Sequence, residues 1–315
     1  MDAVEVIDRS KFMGGSDIPV LFGLSKRKSR TQLWLEKTGR GVLETYTPQE
    51  LRAFARGKKL EPYVLEMVVD KLEEQGHKVE VLATNQRYRD PVIPHFSCEV
   101  DYELLLDGEH VNGDTKTLGF RRAGAGWGTE GTDEIPAAHA GQFYWGQGIT
   151  GRRRTIVSAL IGLDDVRIYE LPIHVPTVMA VRDVANAFWK ANVVGDMPPL
   201  PLSYEDASAI FRQDSGEEFE ANEQMHAAVE RLRAVKAGMK ELEAEEELIS
   251  LAIAQYLGAK SLLMWQGQKI ASWKTQDARR IDINRLRDKR PDVAQEFTVE
   301  STQRVLRLHK PKAPK

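Results

Sequence analysis

Two carboxylates and one ammonium stand out in the middle of the chain. Within His95–Leu118 (HFSCEVDYELLLDGEHVNGDTKTL), Asp114 and Lys116 are two residues apart and Asp101 lies a little upstream. Side chains two apart on a strand leave the same face, so Asp114 and Lys116 share a side. Asp107-Gly108 is a tight-turn dipeptide between two strand-like runs. The segment therefore reads as a hairpin, Glu99 to Leu106 and then Glu109 to Leu118, on which Asp101 can meet the other two. Such a cluster is costly to assemble unless a cation and chemistry require it. The ordinary alternative is a salt bridge across alternate residues of a surface strand. Lys116 is the only lysine of the sequence with an acid two residues before it.

The elements that must position this cluster are legible on both sides of it. Thr47-Pro48 opens a helical pattern that runs to about Gly76, with Leu60, Val64, Met67, Val68 and Leu72 on the core face. Glu61 borders that stripe, and Pro62 predicts a kink or a break there. Before it, Gly14-Gly15 precede a short helix Ile18–Phe22 that Ser16 or Asp17 can cap, leaving free N–H groups and Arg9 to face an anion. The run Lys26–Arg30 is basic, and Thr31–Gly39 is a short amphipathic helix ended by glycine. Strands are expected at Val79–Thr84 and Gln86–Arg89. Gly119–Glu134 reads as a glycine-rich, charged loop, followed by a helix from Ile135-Pro136 to Gly151 that carries Gln142. Strands Thr155–Ile161 and Val166–Ile173 follow, then a helix from Pro176 to about Val194. Strands alternating with helices predict an α/β, mixed-sheet architecture.

Gly195–Ser203 (GDMPPLPLS) is a composition break and reads as a linker between a domain over 1–200 and an extension over 204–315. In the extension, Glu217–Leu257 has apolar residues at three- and four-residue steps, predicting an antiparallel helix pair or one projecting coil, with Gly238 a place for interruption. A hairpin around Gln266-Gly267, a helix Ile281–Arg290 and a closing strand Gln303–Leu308 complete it. The acidic run Glu241–Glu247 fits a protein contact or a solvated face rather than DNA.

At 315 residues, 42% hydrophobic and 29% charged, the chain can bury a sizeable core. Its net charge of -3 gives no global attraction for a polyanion, so any nucleic-acid surface is a local patch. One cysteine, Cys98, excludes an intrachain disulfide and a cysteine-built zinc or iron-sulfur site; it reads as a small core residue. No apolar run spans a membrane and no phosphate-cradling GxxxxGK[ST] loop is present, so a soluble cytoplasmic protein without an ATP motor is expected. The seven histidines lack paired metal-ligand spacing. Trp127, Trp145, Trp189, Trp265 and Trp273 read mostly as core, with Trp127 also placed to stack on a base.

Taken together, MGGSDIPVLFGLS with QLWLEKTG, GKKLEPYVLE, VD and GDTK, and IPAAHAGQFYWGQGITG resemble the YqaJ-like viral recombinase family, related to the lambda-type phage exonuclease. They span roughly residues 9 to 162. The resemblance implies a PD-(D/E)xK restriction-endonuclease-like α/β core plus a helical C-terminal extension with a small hairpin. By position it assigns the helix acid to Glu61, the strand acids to Asp101 and Asp114, the lysine to Lys116 and the following glutamine to Gln142. Mg²⁺, replaceable by Mn²⁺, would be held by Asp101, Asp114, the Thr115 carbonyl and Glu61. Arg9 and Ser16 match positions that approach a DNA-end phosphate, with the helix start at Asp17 beside them; Lys26, Arg27, Arg121 and Arg122 are the basic residues assigned to DNA. Two departures from the family pattern stand out. Aspartate occupies position 114 where relatives commonly carry glutamate, and Asp101 lacks the usual flanking proline and glycine.

The implied activity is end-dependent hydrolysis of linear double-stranded DNA, 5′ to 3′, leaving single strands for phage-type recombination in a bacterial host. A single-strand-annealing recombinase partner and a homo-oligomeric ring belong to the same expectation. Three alternatives stay open: a catalytically drifted protein that binds DNA ends, a site-specific endonuclease of the same core, and a partner-recruiting protein dominated by its helical extension.

Overall fold

The computed structural model describes residues 8–41, 46–119, 126–300 and 302–309. They fall into two compact units, Met1–Ile210 and Phe211–Lys315.

The first unit is built on a five-stranded sheet: β1 (Val79–Arg89), β2 (Ser97–Leu106), β3 (Glu109–Leu118), β4 (Arg154–Ile161) and β5 (Asp165–Pro172), in spatial order of sequence. All neighbours are antiparallel except β3 and β4, which run parallel. The expected mixed sheet flanked by helices is what the chain forms. Asp107 and Gly108 both have positive φ, 51° and 87°, the conformation a two-residue primed turn requires. Where two strands were expected in 79–89 there is one, irregular between Val81 and Ala83 and with Asn85 at φ 54°.

Helix α1 is Ile18–Leu21, α2 Arg30–Lys37, and α3 Pro48–Glu74. Thr47 caps α3 reciprocally with Glu50, and Pro48 sits where a missing N–H costs nothing. Pro62 does not break it. Val64, Val68 and Leu72 are fully buried with Leu104, Leu106, Ile156 and Leu160, and this seam holds α3 as one helix across the proline. Helix α4 (Ala137–Thr150) ends at Gly151 in the left-handed region and covers the opposite side of β4, its Phe143 packing with Val157 and Ala159. Helix α5 (Val175–Phe188) continues into a π-helical turn, Trp189–Val194.

Met13 bridges Phe96 in parallel fashion, its N–H on the His95 carbonyl at 2.7 Å and its carbonyl on the Ser97 N–H at 3.0 Å. That strap fixes Arg9–Asp17 beside the start of β2. Helix α6 (Tyr204–Ile210) belongs to this unit although it lies beyond the proline-rich linker, because Ser29 Oγ donates to Asp206 at 2.6 Å and Ile210 packs on the core.

In the second unit α7 (Glu223–Leu257) is one uninterrupted helix of 35 residues, running through Gly238. A hairpin follows, β6 (Leu262–Trp265) and β7 (Gln268–Ser272), turning at Gln266-Gly267 as expected. Helices α8 (Ile283–Lys289) and α9 (Pro291–Glu296) come after it. No strand forms at Gln303–Leu308: the second sheet has only β6 and β7, so this alternating stretch has no ladder to join. Trp265 and Trp273, expected in a core, are 65% and 56% exposed. No described helix is long and apolar enough to cross a membrane.

Candidate active site

The hairpin β2–β3 does not stay paired along its length. Its last pair is Tyr102 with Gly113; beyond it β2 continues against β1 while β3 continues against β4. Asp101 and Asp114 are the first residues past that pair, one on each side of the opening. Gly113 is what lets the strands close so near the fork, since the Tyr102 ring lies where a Cβ on residue 113 would be. The ring is held there by its hydroxyl, 3.3 Å from the Ile156 carbonyl and from Ser158 Oγ. Asp101 spans the gap and accepts the Thr115 N–H at 2.9 Å.

Around the fork the expected residues converge. Lys116 Nζ pairs with Asp114 Oδ1, and Gln142 of α4 donates to Asp114 Oδ2 at 3.0 Å. Lys116 also sits 5.3 Å from the Phe143 ring centroid, a cation–π contact from the same helix. Glu61 approaches from α3. Its Oε2 is buried with no well-formed hydrogen bond, and Lys58 Nζ stands 2.7 Å away as an ion pair. Burial raises the Glu61 carboxyl above the usual range, with Lys58 pulling it down and Asp101 pushing it further up.

Asp114 carries the strongest signature. It is buried, and burial pushes its carboxyl up to about 7; Lys116 opposes this, but Asp101 and Glu61 add to it. An acid left this uncomfortable beside a lysine is what a cation would relieve. The donor chemistry fits a hard divalent ion: three carboxylates within one another's field, no thiolate, and a buried Glu61 oxygen that meets only the Lys58 ammonium. Their spacing is looser than a chelate. Among the described residues no three acidic, histidine or cysteine side chains are already gathered as an ion cage; Lys116 holds Asp114 and the Thr115 N–H holds Asp101.

Beside the fork is a cavity of about 280 Å³ bounded by Arg9, Gly14, Gly15, Ser16, Arg87, Glu99 and Gln142. Gly15 is required here by close approach, since a Cβ would stand 2.8 Å from Gln142 Cγ. Arg9 Nη2 donates to Ser16 Oγ at 2.7 Å and leans on Asp17 Oδ1 at 3.3 Å. Asp17 itself is 1% exposed and does not face the cavity as a DNA contact. Its carboxylate takes Lys37 Nζ at 2.8 Å and the Gly14 N–H at 2.9 Å, so it neither caps α1 nor faces solvent but fixes Arg9 and the glycine turn.

The remaining expected residues divide. Lys26 is exposed, whereas Arg27 is engaged by Glu50 and by the Tyr46 and Phe54 rings. Arg121 and Arg122 lie outside the described residues. Trp127 is buried against Tyr169, with ring centroids 5.0 Å apart, and so is not placed for base stacking. Burial drives the Cys98 thiol up to about 12, which leaves it inert.

Sequence reasoning passed over Arg87 and Glu99, which pair with each other in the cavity wall, and His139, which burial and then Lys116 push down to about 4. Glu99 was findable: it precedes Asp101 by two on the same strand. Arg87 and His139 depend on cross-strand and helix packing that no local pattern encodes.

Comparison with known proteins bears on what this arrangement belongs to. The chain is 24% identical to the uncharacterized protein YqaJ of Bacillus subtilis (strain 168) over 304 residues, 94% of this chain and 90% of that protein. Among solved structures it is similar to LHK-Exo in complex with dAMP, at 16% identity and TM-score 0.43, over 60% of this chain and 90% of the other. A second structure, an alkaline exonuclease (LHK-Exo) from Laribacter hongkongensis, matches at 14% identity with the same TM-score of 0.43 and the same coverage, 60% and 90%. The family model of the YqaJ-like viral recombinase domain matches residues 6–153, a span that contains Glu61, the fork, Gln142 and the Arg9 cavity. Residues 6–153 of this chain are a YqaJ-like viral recombinase domain.

Proposed function

We propose that the protein is a metal-dependent deoxyribonuclease that digests linear double-stranded DNA from an end, 5′ to 3′, and leaves single-stranded DNA for recombination. The observation that carries this reading is the fork. It puts Asp101 and Asp114 on diverging strands, with Glu61 reaching in from α3 and Gln142 and Lys116 closing on Asp114. The resemblance in sequence supports the direction of digestion, and LHK-Exo is described as an alkaline exonuclease.

Asp101, Asp114, Glu61 and the Thr115 carbonyl would hold Mg²⁺ or Mn²⁺, which when bound supplies a Lewis acid for the phosphoryl oxygen and a water of lowered pKa. The chain's own residues do the rest. Gln142 Nε2 and the Thr115 N–H each fix one carboxylate oxygen, setting the rotamers of Asp114 and Asp101. The Lys116 ammonium orients the attacking water and steadies charge that develops on the phosphoryl oxygens. Arg9, supported by Asp17, and Ser16 receive the terminal phosphate, so that the scissile bond next to it lies at the fork.

The test is a time course on linear duplexes labelled at the 5′ or the 3′ end, with Mg²⁺ and with EDTA, beside a covalently closed circle. Wild-type protein is expected to release the 5′ label first, to stop in EDTA and to leave the circle intact. Equal digestion by wild type and Lys116→Ala would sink the enzyme reading. Cutting of the circle would make the protein an endonuclease instead. A thermal-shift titration with Mg²⁺ alone checks the metal without relying on cleavage: stabilisation of wild type but not of Asp114→Asn is expected.

A further inference from the structure

The 35-residue helix α7 carries an apolar seam that is exposed over most of its length, at Val235, Met239, Leu242, Ile249 and Ile253, with Leu232 half-buried. From Met225 to Tyr256 positions alternating by three and four form one seam, on which Leu232, Val235, Met239, Leu242, Ile249 and Ile253 lie, interrupted between Leu242 and Ile249 by Glu246. Leu242 and Ile249 are 67% and 53% exposed. A strict repeat averaging 3.5 residues is the geometry that fits another helix winding around this one, rather than a flat sheet or a globular face. Leu248 and Leu251 fall outside the seam. The one polar residue on it is Glu246.

We propose that α7 pairs with α7 of a second copy of this chain as an antiparallel two-helix coil. Charge selects both the partner and the direction. Arg231 and Lys236 flank the seam in the first half of the helix, and Glu243 and Glu245 flank it in the second; from Glu241 to Leu257 there is no basic residue. A parallel pair would set Arg231 beside the partner's Lys236 and Glu246 against the partner's Glu246, two repulsions in the zipper. An antiparallel pair crossing between Met239 and Leu242 does the reverse. It places Lys236 beside the partner's Glu243, twice by the two-fold axis, with Arg231 about one turn along from the partner's Glu245. The same register stacks Leu232 on the partner's Ile249 and Met239 on the partner's Leu242. Glu246 then meets the partner's Val235 next to the partner's Lys236, a polar seam position that penalises slipped registers. Self-complementarity of one helix along its whole length is what a two-fold interface demands, and a different partner would have no reason to match it. The inference does not depend on the nuclease reading.

The test uses the full-length chain with Arg231→Cys and Glu245→Cys made separately; both positions are exposed, and the native Cys98 is buried. A short bis-maleimide is expected to join chains in a one-to-one mixture, allowed to exchange, and to join few in either variant alone. No cross-link in the mixture overturns the proposal, and so does efficient joining of a mixture of Arg231→Cys with Lys236→Cys, the parallel signature. Sedimentation gives a second readout without cysteines. Arg231→Glu with Lys236→Glu should weaken self-association at least about tenfold, and adding Glu243→Lys with Glu245→Lys should restore it. Unchanged sedimentation of the doubly reversed variant, or failure of the fourfold swap to restore association in a protein that keeps its helical circular dichroism, would refute the antiparallel pair.

Discussion

Asp17 and Asp114 are both buried and both meet a lysine, yet the fold treats them in opposite ways. At Asp17 burial alone would raise the carboxyl, but Lys37, Arg9 and the Gly14 N–H outweigh it and hold the group below the usual carboxylate range. At Asp114 burial wins: Lys116 opposes it, while Asp101 and Glu61 supply more negative charge, and the carboxyl rises to about 7. One is a completed ion pair inside a scaffold. The other is an incomplete one, short of positive charge. The difference separates a carboxylate whose charge is fully compensated from one whose charge is not, although the sequence around each, GSD and GDTK, looks equally polar.

The largest expected consequence is on cleavage. Asp114→Asn or Lys116→Ala should slow digestion of linear duplex by roughly a thousandfold or more, since each removes a group acting on the reacting phosphate. Asp17→Asn should lose stability instead, by about 3 kcal/mol, because it leaves Lys37 buried with only the Arg9 carbonyl and Glu36 nearby. Chemical denaturation of the two variants checks this, and the comparison breaks if Asp114→Asn is destabilised as strongly as Asp17→Asn.

A pH series sharpens it further. With the folded carboxyl of Asp114 near 7 and the free value at 3.8, the native state binds more protons between those limits. The contribution is present below about pH 4 and is lost as pH rises through about 7. In metal-free buffer, wild type should therefore fall in stability relative to Asp114→Asn by about 1 kcal/mol per pH unit up to neutrality, then run level with it. Asp17 has the opposite sign: its folded value lies below 3.8, so its contribution holds above about pH 4 and is lost only as pH drops through the depressed value. The smallest effect concerns the cavity wall. Glu99→Gln removes a carboxylate from the wall of the Arg9 cavity and should speed digestion of 5′-phosphorylated ends relative to hydroxyl ends by about threefold, the scale of an exposed charge. Initial rates on the two substrates measure it.

Much of this was legible from residues. Asp107-Gly108 could only be a tight turn, the acid–x–lysine triplet could only share a face, and the apolar stripe of α3 named its own buried side. Gln142 was legible through the order of motifs. What was not legible is tertiary. The fork exists because β3 leaves β2 for β4 at Gly113, a register set by long-range pairing. Asp17 reads as a helix cap until Lys37, twenty positions on, is known to reach it. Gln303–Leu308 alternates like a strand but finds no edge to pair with. The three-and-four steps of α7 were visible, while the exposure of Leu242 and Ile249 on them was not.

The single parallel pairing in the sheet also orders events in time. Asp101 and Asp114 lie on a hairpin closed by two residues, so they approach one another by the quickest of chain closures. β3 and β4 can pair only after the chain between them has returned to the sheet, and Gln142 rides on α4 in that connection. The acids are therefore brought together early, and Gln142 reaches Asp114 only when the crossover docks. Slow-folding variants are expected to cluster in α4 and β4 rather than in the hairpin.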